Sequence, residues 1–376
     1  MTIELNEMPA IRRYIVIVLA IFLAVTPPVV IVLFRLAQPF GATATLDQLA
    51  RIQSEQPEKI FLPFDLRYNG AFKLPRVEQE RPEIIWFSSS RAGAARASMF
   101  EPYRFYNMSF TAWTADQLLD AFERSTRDVR PRVAILELDY FLFTDDWERW
   151  FAASRTMIYG RPYHYVQASV GNFVRTAVSR WSLLREIQAS QPQFIGTEAI
   201  LVQEGFRCDG SYVYSPGHIE DARLHYKTGD FFVDSTPRAP SLAERPKAPI
   251  ARLAEMARQR GISLIAVQLP FIRAAVDRLD NDPALRHWMG AWRDFENGGT
   301  RSWLKSLGIP LFDLARSSID DDPNNFFDAY HPSEIGMLRV VRELLTDPAF
   351  RAEFPAIDPS GIDKQIAAGR SAPCVR

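Results

Sequence analysis

The chain has 376 residues, 24% of them charged and 47% hydrophobic, with a formal net charge of -1. That balance belongs to an ordinary globular protein and excludes a disordered one. Acidic residues are spread along the whole length and no block of consecutive basic residues occurs, so the sequence gives no nucleic-acid signal and that partner class is set aside.

Residues 1–13 form a short leading segment. Residues 14–33 read YIVIVLAIFLAVTPPVVIVL and carry no charge; at ~1.5 Å rise per residue they span the ~30 Å hydrocarbon core of a bilayer. Residues 14–34 are therefore predicted as a single transmembrane anchor, kinked at Pro27 and Pro28, which a membrane helix tolerates. Arg12 and Arg13 precede it and Arg35 alone follows closely. The positive-inside bias then leaves the N-terminus in the cytoplasm and the bulk on the periplasmic or extracellular side of the inner (cytoplasmic) membrane. A cleaved signal peptide is the competing reading, because Ala42-Thr43-Ala44 has the small-x-small form. The apolar run exceeds the ~7 to 15 residues of a signal h-region and ends well before that tripeptide, which favours the anchor.

Residues 35–81 mix Pro, Gly and charge with short apolar runs and read as a linker and extended lead-in. Residues 82–350 form the main domain. It opens with Glu83-Ile84-Ile85-Trp86-Phe87, an apolar run after Pro82 that stops at Ser88-Ser89-Ser90, the pattern of a buried parallel strand ending in a loop. A helix over 115–127, where Leu118, Leu119 and Phe122 share a face, leads to a second strand over 133–138.

Residues 144–230 are an insertion, helical and aromatic-rich to 192 and then short strands and turns. A helix over 250–259, a strand over 262–269, and a helix over 303–307 leading through Gly308 to a strand over 309–312 repeat the theme. The helix over 334–345 is predicted to be the last, and residues 351–376 are a C-terminal tail. Strands alternating with helices imply an α/β fold: a doubly wound, mostly parallel sheet in three layers, with a helical insertion and one preceding transmembrane helix.

Only Cys208 and Cys374 are present. The chain does not depend on a disulfide framework, although one bridge can form in an oxidising compartment. Neither cysteine lies in a C-x-x-C pair or a His-rich cluster, so no metal and no cofactor is expected.

Two places can carry chemistry. Ser90 ends the first strand, at the carboxyl edge where open α/β sheets bind ligands; the bland reading is a helix cap. Asp328-Ala329-Tyr330-His331-Pro332 lies just before the last helix. A carboxylate three residues before an imidazole can turn back to accept the Nδ1 hydrogen, fixing the tautomer while Nε2 acts as base. A surface ion pair is the commoner explanation of that spacing, but Pro332 suits a first helical turn and puts His331 at a junction.

With these residues the sequence resembles the SGNH hydrolase superfamily, in which a serine after the first strand pairs with an Asp-x-x-His close to the C-terminus. Phe87-Ser88-Ser89-Ser90-Arg91 is similar to the first block. The resemblance implies Ser90 as nucleophile with Asp328 and His331 completing the triad, and Ser89 as fallback nucleophile. Tyr106-Asn107-Met108-Ser109 is similar to the second block, with Ser109 in the place of an oxyanion-hole glycine. Glu137-Leu138-Asp139-Tyr140 falls where Gly-x-Asn-Asp is expected, so Asp139 replaces the asparagine donor, and an ionised aspartate donates nothing to an oxyanion.

The pattern resembles the membrane-anchored SGNH-like proteins that work beside membrane-bound O-acyltransferases, such as the alginate acetylation and DltD-like teichoic acid D-alanylation proteins. It implies an acyltransferase or esterase, a membrane-bound O-acyltransferase-type partner, and a glycan or lipid-linked glycan as acceptor. A non-catalytic tethered scaffold of a polysaccharide modification or export complex is the other reading, and the Asp139 departure speaks for it.

Arg91 is a candidate for steering an anionic or sugar-linked substrate, against an ordinary ion-paired arginine. Asp209-Gly210-Ser211-Tyr212 reads as a hairpin turn. His164, His218, His225 and His287 read as structural. Trp147, Trp150 and Phe151 could line a glycan or acyl groove, yet such a stripe is usually core.

Overall fold

The structure, a computed structural model, describes residues 8–65, 68–152, 162–220, 239–287, 289–328, 330–369 and 371. Parts of the expected insertion (153–161 and 221–230), His225 and Cys374 lie outside these residues. So does the side chain of Trp150.

The sheet that organises the main body has five parallel strands, β2 (Ile84–Phe87), β3 (Phe105–Met108), β4 (Val133–Glu137), β8 (Ser263–Gln268) and β9 (Leu311–Asp313), in the spatial order β3-β2-β4-β8-β9. Every residue of β2, β3 and β4 is buried, which is why they read as continuous apolar runs rather than alternating ones. The order is 2-1-3-4-5 in chain succession, a doubly wound topology whose direction of travel reverses between β2 and β4. In register, Trp86 lies between Asn107 and Ile135, so the loops after β2, β3 and β4 emerge at one carboxyl edge.

Helices Ala115–Ser125 and Lys247–Arg260 pack on each other, as do Glu334–Leu344 and Pro359–Ala367. The first is set by a reciprocal cap, in which Thr114 accepts from the Gln117 amide N–H and the Gln117 side chain accepts from the Thr114 N–H. Its buried residues Leu118, Ala121, Phe122 and Ser125 follow the three-to-four spacing of one helix face.

Helix Glu334–Leu344 is not the last. Pro348–Glu353 and Pro359–Ala367 follow it, each entered by an aspartate cap, Asp347 and Asp358, with proline next. Phe350, Phe354, Ile357 and Ile362 belong to the main core, so the expected tail is integral to the fold as far as Gly369.

The expected extended lead-in also folds. It carries helices Leu46–Glu55 and Asn69–Glu80 and the two-residue strand β1 (Ile60–Phe61). β1 pairs with β5 (Phe194–Ile195) and β6 (Gly205–Phe206), and β6 pairs with β7 (Tyr212–Val213), forming a second, four-stranded sheet. The lead-in and the insertion therefore build one sub-structure with its own cluster, including Leu49, Phe61, Phe72, Tyr165 and Phe206. The β6–β7 turn holds Gly210 at φ +77, as the turn reading requires.

The helix Met8–Ala37 contains Pro27 and Pro28. It is long and apolar enough to cross a membrane. Its apolar side chains, such as Ile15, Phe22, Leu23 and Ile31, are exposed.

Candidate active site

β2 ends at Phe87 and the chain turns through Ser88 and Ser89 before the short helical turn Arg91–Ala94. The turn is pinned from the neighbouring strand: the Phe110 amide donates to the Ser89 carbonyl at 3.0 Å and the Ala112 amide to the Ser88 carbonyl at 3.2 Å. Asn107 Nδ2, from β3, donates to the carbonyls of Ala92 (2.7 Å) and Ala95 (2.9 Å). Ser90 sits at the cap position of the helical turn, yet its side chain caps nothing. Its Oγ lies 2.7 Å from His331 Nε2.

His331 reaches that point because Asp328 organises its own loop. Asp328 Oδ1 accepts from the amides of Tyr330 (2.9 Å) and His331 (2.8 Å), the local turn that aspartate side chains favour. Oδ2 is then free to take His331 Nδ1 at 2.6 Å. Burial would raise the Asp328 carboxyl, but His331 and the two amides outweigh it and hold the carboxyl below its ordinary range.

Helix Glu334–Leu344 begins just beyond, capped by Ser333, whose Oγ accepts from the Gly336 amide at 3.1 Å. Pro332 therefore lies one residue before the cap and not in the first turn. A Cβ on Gly336 would fall 2.0 Å from the Asn325 carbonyl oxygen, so only glycine lets the histidine loop lie on this helix.

Ser90, Asp328 and His331 are thus brought together, with Ser90 and His331 241 residues apart in sequence. Ser89, the fallback nucleophile, is 5% exposed and its hydroxyl donates to Glu137 Oε1 at 2.7 Å. It is a brace for the turn.

Arg91, Asp139 and Ser109 are buried and bonded to protein groups. Arg91 is buried beneath the site and ion-pairs with Asp139, with side-chain exposures of 1% and 0%. Its guanidinium donates to the carbonyls of Tyr330 (2.8 Å), Leu269 (3.1 Å) and Pro270 (2.7 Å) and lies over the Phe271 ring. Arg91 therefore ties the serine turn to the histidine loop and to the end of β8.

Asp139 is hydrogen-bonded to Glu137 as well. Burial raises both carboxyls of this pair, Glu137 well up because the Asp139 charge adds to it, while Arg91 opposes the rise at Asp139. Ser109 is fully buried; its amide donates to Asn107 Oδ1 at 2.7 Å. The Ser109 carbonyl accepts from the buried Lys73 Nζ at 2.7 Å, which also serves the Asn107 and Gly210 carbonyls.

Tyr214, just past β7, is the residue that sequence reasoning missed. Its ring packs on Phe327 and lies 6.4 Å from the His331 ring, centroid to centroid. The hydroxyl lies 3.6 Å from where a Cβ on Gly93 would stand, in the turn after Ser90. Burial and then the nearby Asp328 charge raise its ionisation well above the ordinary tyrosine range, so the phenol stays a donor. No short-range motif marks Tyr214; the second sheet carries it to the site.

Of the other singled-out residues, His218 pairs through Nδ1 with Glu204 at 2.9 Å. Trp147 packs against Phe141 and Phe151, and Phe151 stacks on Trp113. Cys208 is disulfide-bonded.

No family model matches the chain, and no curated protein matches it. Among solved structures it is similar to a GDSL-like lipase from Bacteroides thetaiotaomicron, at 12% identity over 77% of this chain and 99% of that one, with a TM-score of 0.34. It is also similar to a putative acylhydrolase from Bacteroides fragilis, at 13% identity over 72% of this chain and 87% of that one, with a TM-score of 0.33.

Proposed function

We propose that the chain is a membrane-anchored, serine-dependent acyl-group enzyme that works on the outer side of the membrane. The observation that carries this reading is the pair of contacts at 2.7 Å from Ser90 Oγ to His331 Nε2 and 2.6 Å from His331 Nδ1 to Asp328 Oδ2. Nucleophile, base and orienter need that geometry.

Ser90 Oγ attacks the acyl carbonyl while His331 Nε2 takes its proton and then passes it to the leaving group. The acyl-enzyme is next attacked by an acceptor hydroxyl, whose proton goes to His331, and Ser90 leaves with it restored. Asp328 stays ionised and stabilises the imidazolium. Because Asp139 and the Ser109 amide are both engaged elsewhere, the Tyr214 phenol is the side-chain donor assigned to the oxyanion.

The resemblance to O-acyltransferase-associated proteins points to a sugar hydroxyl of a surface or exported glycan as acceptor, and to a membrane-bound O-acyltransferase-type protein as the source of the acyl group. Water as acceptor makes it an esterase.

A fluorophosphonate probe applied to the full chain in detergent tests the serine. Labelling of the wild type that disappears in Ser90→Ala and His331→Ala supports catalysis. The second reading, a tethered scaffold without turnover, is favoured by the loss of both expected oxyanion donors; an unlabelled wild type that still binds the glycan would establish it. Release of acyl groups from a chromogenic ester, with and without an added glycan, separates esterase from transferase.

A further inference from the structure

The anchor helix does not leave the domain hanging freely. Beyond its apolar stretch the chain turns at Gln38–Phe40 and runs directly onto the helix Pro162–Ser190. Phe40 meets Phe173 and Trp181 with ring centroids 5.2 and 5.8 Å away, and Gln188 Nε2 donates to the Pro39 carbonyl at 2.6 Å. Ala37, Phe40 and Ala42 are buried in one cluster with Phe173, Leu184 and Phe194. A cut after Ala44 would remove Ala37, Phe40 and Ala42 from that cluster, so the fold itself speaks for a retained anchor.

The same helix also exposes apolar side chains. Val178 is 85% exposed, Leu183 41% and Trp181 37%, around a bend where Arg180 departs from helical geometry at φ -138 and ψ 30. Leu33 and Leu36 of the anchor join Phe173, Val174, Val178 and Trp181 around a shallow apolar depression of about 240 Å³. The exposed apolar residues are therefore continuous with the last turn of the helix that enters the bilayer. Arg35, Arg175, Arg180 and Arg185 are exposed on the same two helices, as is Glu186. Apolar residues with a tryptophan at the headgroup level, accompanied by arginines, are what an interfacial helix presents to a lipid surface.

We propose that the bend of the helix Pro162–Ser190 is a second membrane contact. Val178, Trp181 and Leu183 enter the interfacial zone of the bilayer while Arg175, Arg180 and Arg185 meet anionic headgroups. The domain is thereby held at a fixed inclination to the membrane instead of pivoting on its anchor. The inference rests on the anchor being in the bilayer and is independent of the catalytic reading.

The test uses the full chain in nanodiscs of phosphatidylcholine and phosphatidylglycerol, with lipids brominated high on the acyl chain as quenchers of tryptophan fluorescence. No tryptophan lies in residues 1–40, and Trp86 and Trp292 are fully buried. The wild type is expected to show quenching that Trp181→Phe removes by at least half. Replacing Arg175, Arg180 and Arg185 by glutamate should make the residual quenching insensitive to phosphatidylglycerol content. Phenylalanine preserves the contact with Phe40, and unchanged circular dichroism verifies the fold.

Equal quenching in wild type and Trp181→Phe overturns the proposal. So does an absence of quenching in chains that co-elute with the nanodisc, which would give the face to a protein partner instead. Failure to co-elute overturns it through the anchor, and fluorophosphonate labelling of the same sample reports separately on the catalytic reading.

Discussion

Arg91 and Asp139 form an ion pair sealed inside the fold, directly beneath the turn that carries Ser90. Removing one partner of such a pair leaves an uncompensated buried charge, at a cost of about 3–5 kcal/mol. Arg91→Met is therefore expected to destabilise the protein by that amount in chemical denaturation. Adding Asp139→Leu should recover most of the stability, because a buried pair is replaced by apolar packing. Activity should not return with it, since the tie from Arg91 Nε to the Tyr330 carbonyl beside His331 is still missing. Recovery of stability and turnover together would show that Arg91 acts only through its charge.

Asp328 has two separable tasks, closing the loop with Oδ1 and orienting His331 with Oδ2. Asp328→Asn keeps an oxygen for the loop amides but turns the Nδ1 acceptor into a donor or an uncharged oxygen. The expected result is a folded protein whose kcat on an ester falls by about 10⁴, the size found when the corresponding orienter is changed in a serine protease. Because the carboxyl is held below its ordinary range, it is already ionised at pH 5 and the rate should show no rise from Asp328 above that pH. A fall of less than tenfold would remove Asp328 from the mechanism.

The contacts among Ser90, His331 and Asp328 were legible because much of their geometry is local. Asp-x-x-His folds back through its own backbone amides, and a serine that ends a buried strand emerges at the carboxyl edge of the sheet. Arg91, Asp139 and Glu137 were not legible as a unit, since an arginine after a strand reads as solvated until β4 and β8 are placed beside it. The second sheet was hidden for a similar reason: β1 is two residues long and finds its partner Phe194 from Ile60 across the main domain. Its strands are too short to show a period. By contrast, Asp347-Pro348 and Asp358-Pro359 are helix-entry signals written plainly in the tail.

Tyr214→Phe tests the assigned oxyanion donor. The ring and its contact with Phe327 are retained, so denaturation midpoints should move little. Loss of one oxyanion donor costs ~10² to 10³ in rate in a well-studied protease. A fall of that order in kcat with KM unchanged is expected on a chromogenic ester. A kcat within twofold of wild type would mean that backbone amides alone serve the oxyanion.

Gly210 is held where the second sheet meets the site. At φ +77 its Cβ position lies 2.2 Å from the Asn107 carbonyl oxygen, an acceptor of Lys73. Gly210→Ala combines a strained backbone with a clash against backbone, and a loss of at least 1–3 kcal/mol is expected from the strain alone. Since Asn107 also ties the turn after Ser90, fluorophosphonate labelling should slow in parallel. A variant as stable as wild type would show that the turn can relax without moving Asn107.

Asp209, one residue earlier, is one of the carboxyls that make stability depend on pH in acid. Burial works against its charge, but Arg96, the Ser211 side chain, the Ala97 amide and Arg207 hold the carboxyl down at about 2. An unfolded aspartate titrates near ~3.9. With the folded value depressed, the unfolded state binds more protons between the two, so stability rises with pH in that window. The contribution, on the order of 2 kcal/mol, is fully present above pH ~4 and is lost as pH falls toward 2. Asp209→Asn should be less stable than wild type at pH 7, where Arg96 loses the carboxylate at 3.0 Å and keeps that of Glu334 at 3.5 Å. The gap should narrow as the pH is lowered through this window. Denaturant midpoints between pH 7 and 2.5 measure it, and a constant difference across that range would show that Asp209 draws its stability from packing and not from charge.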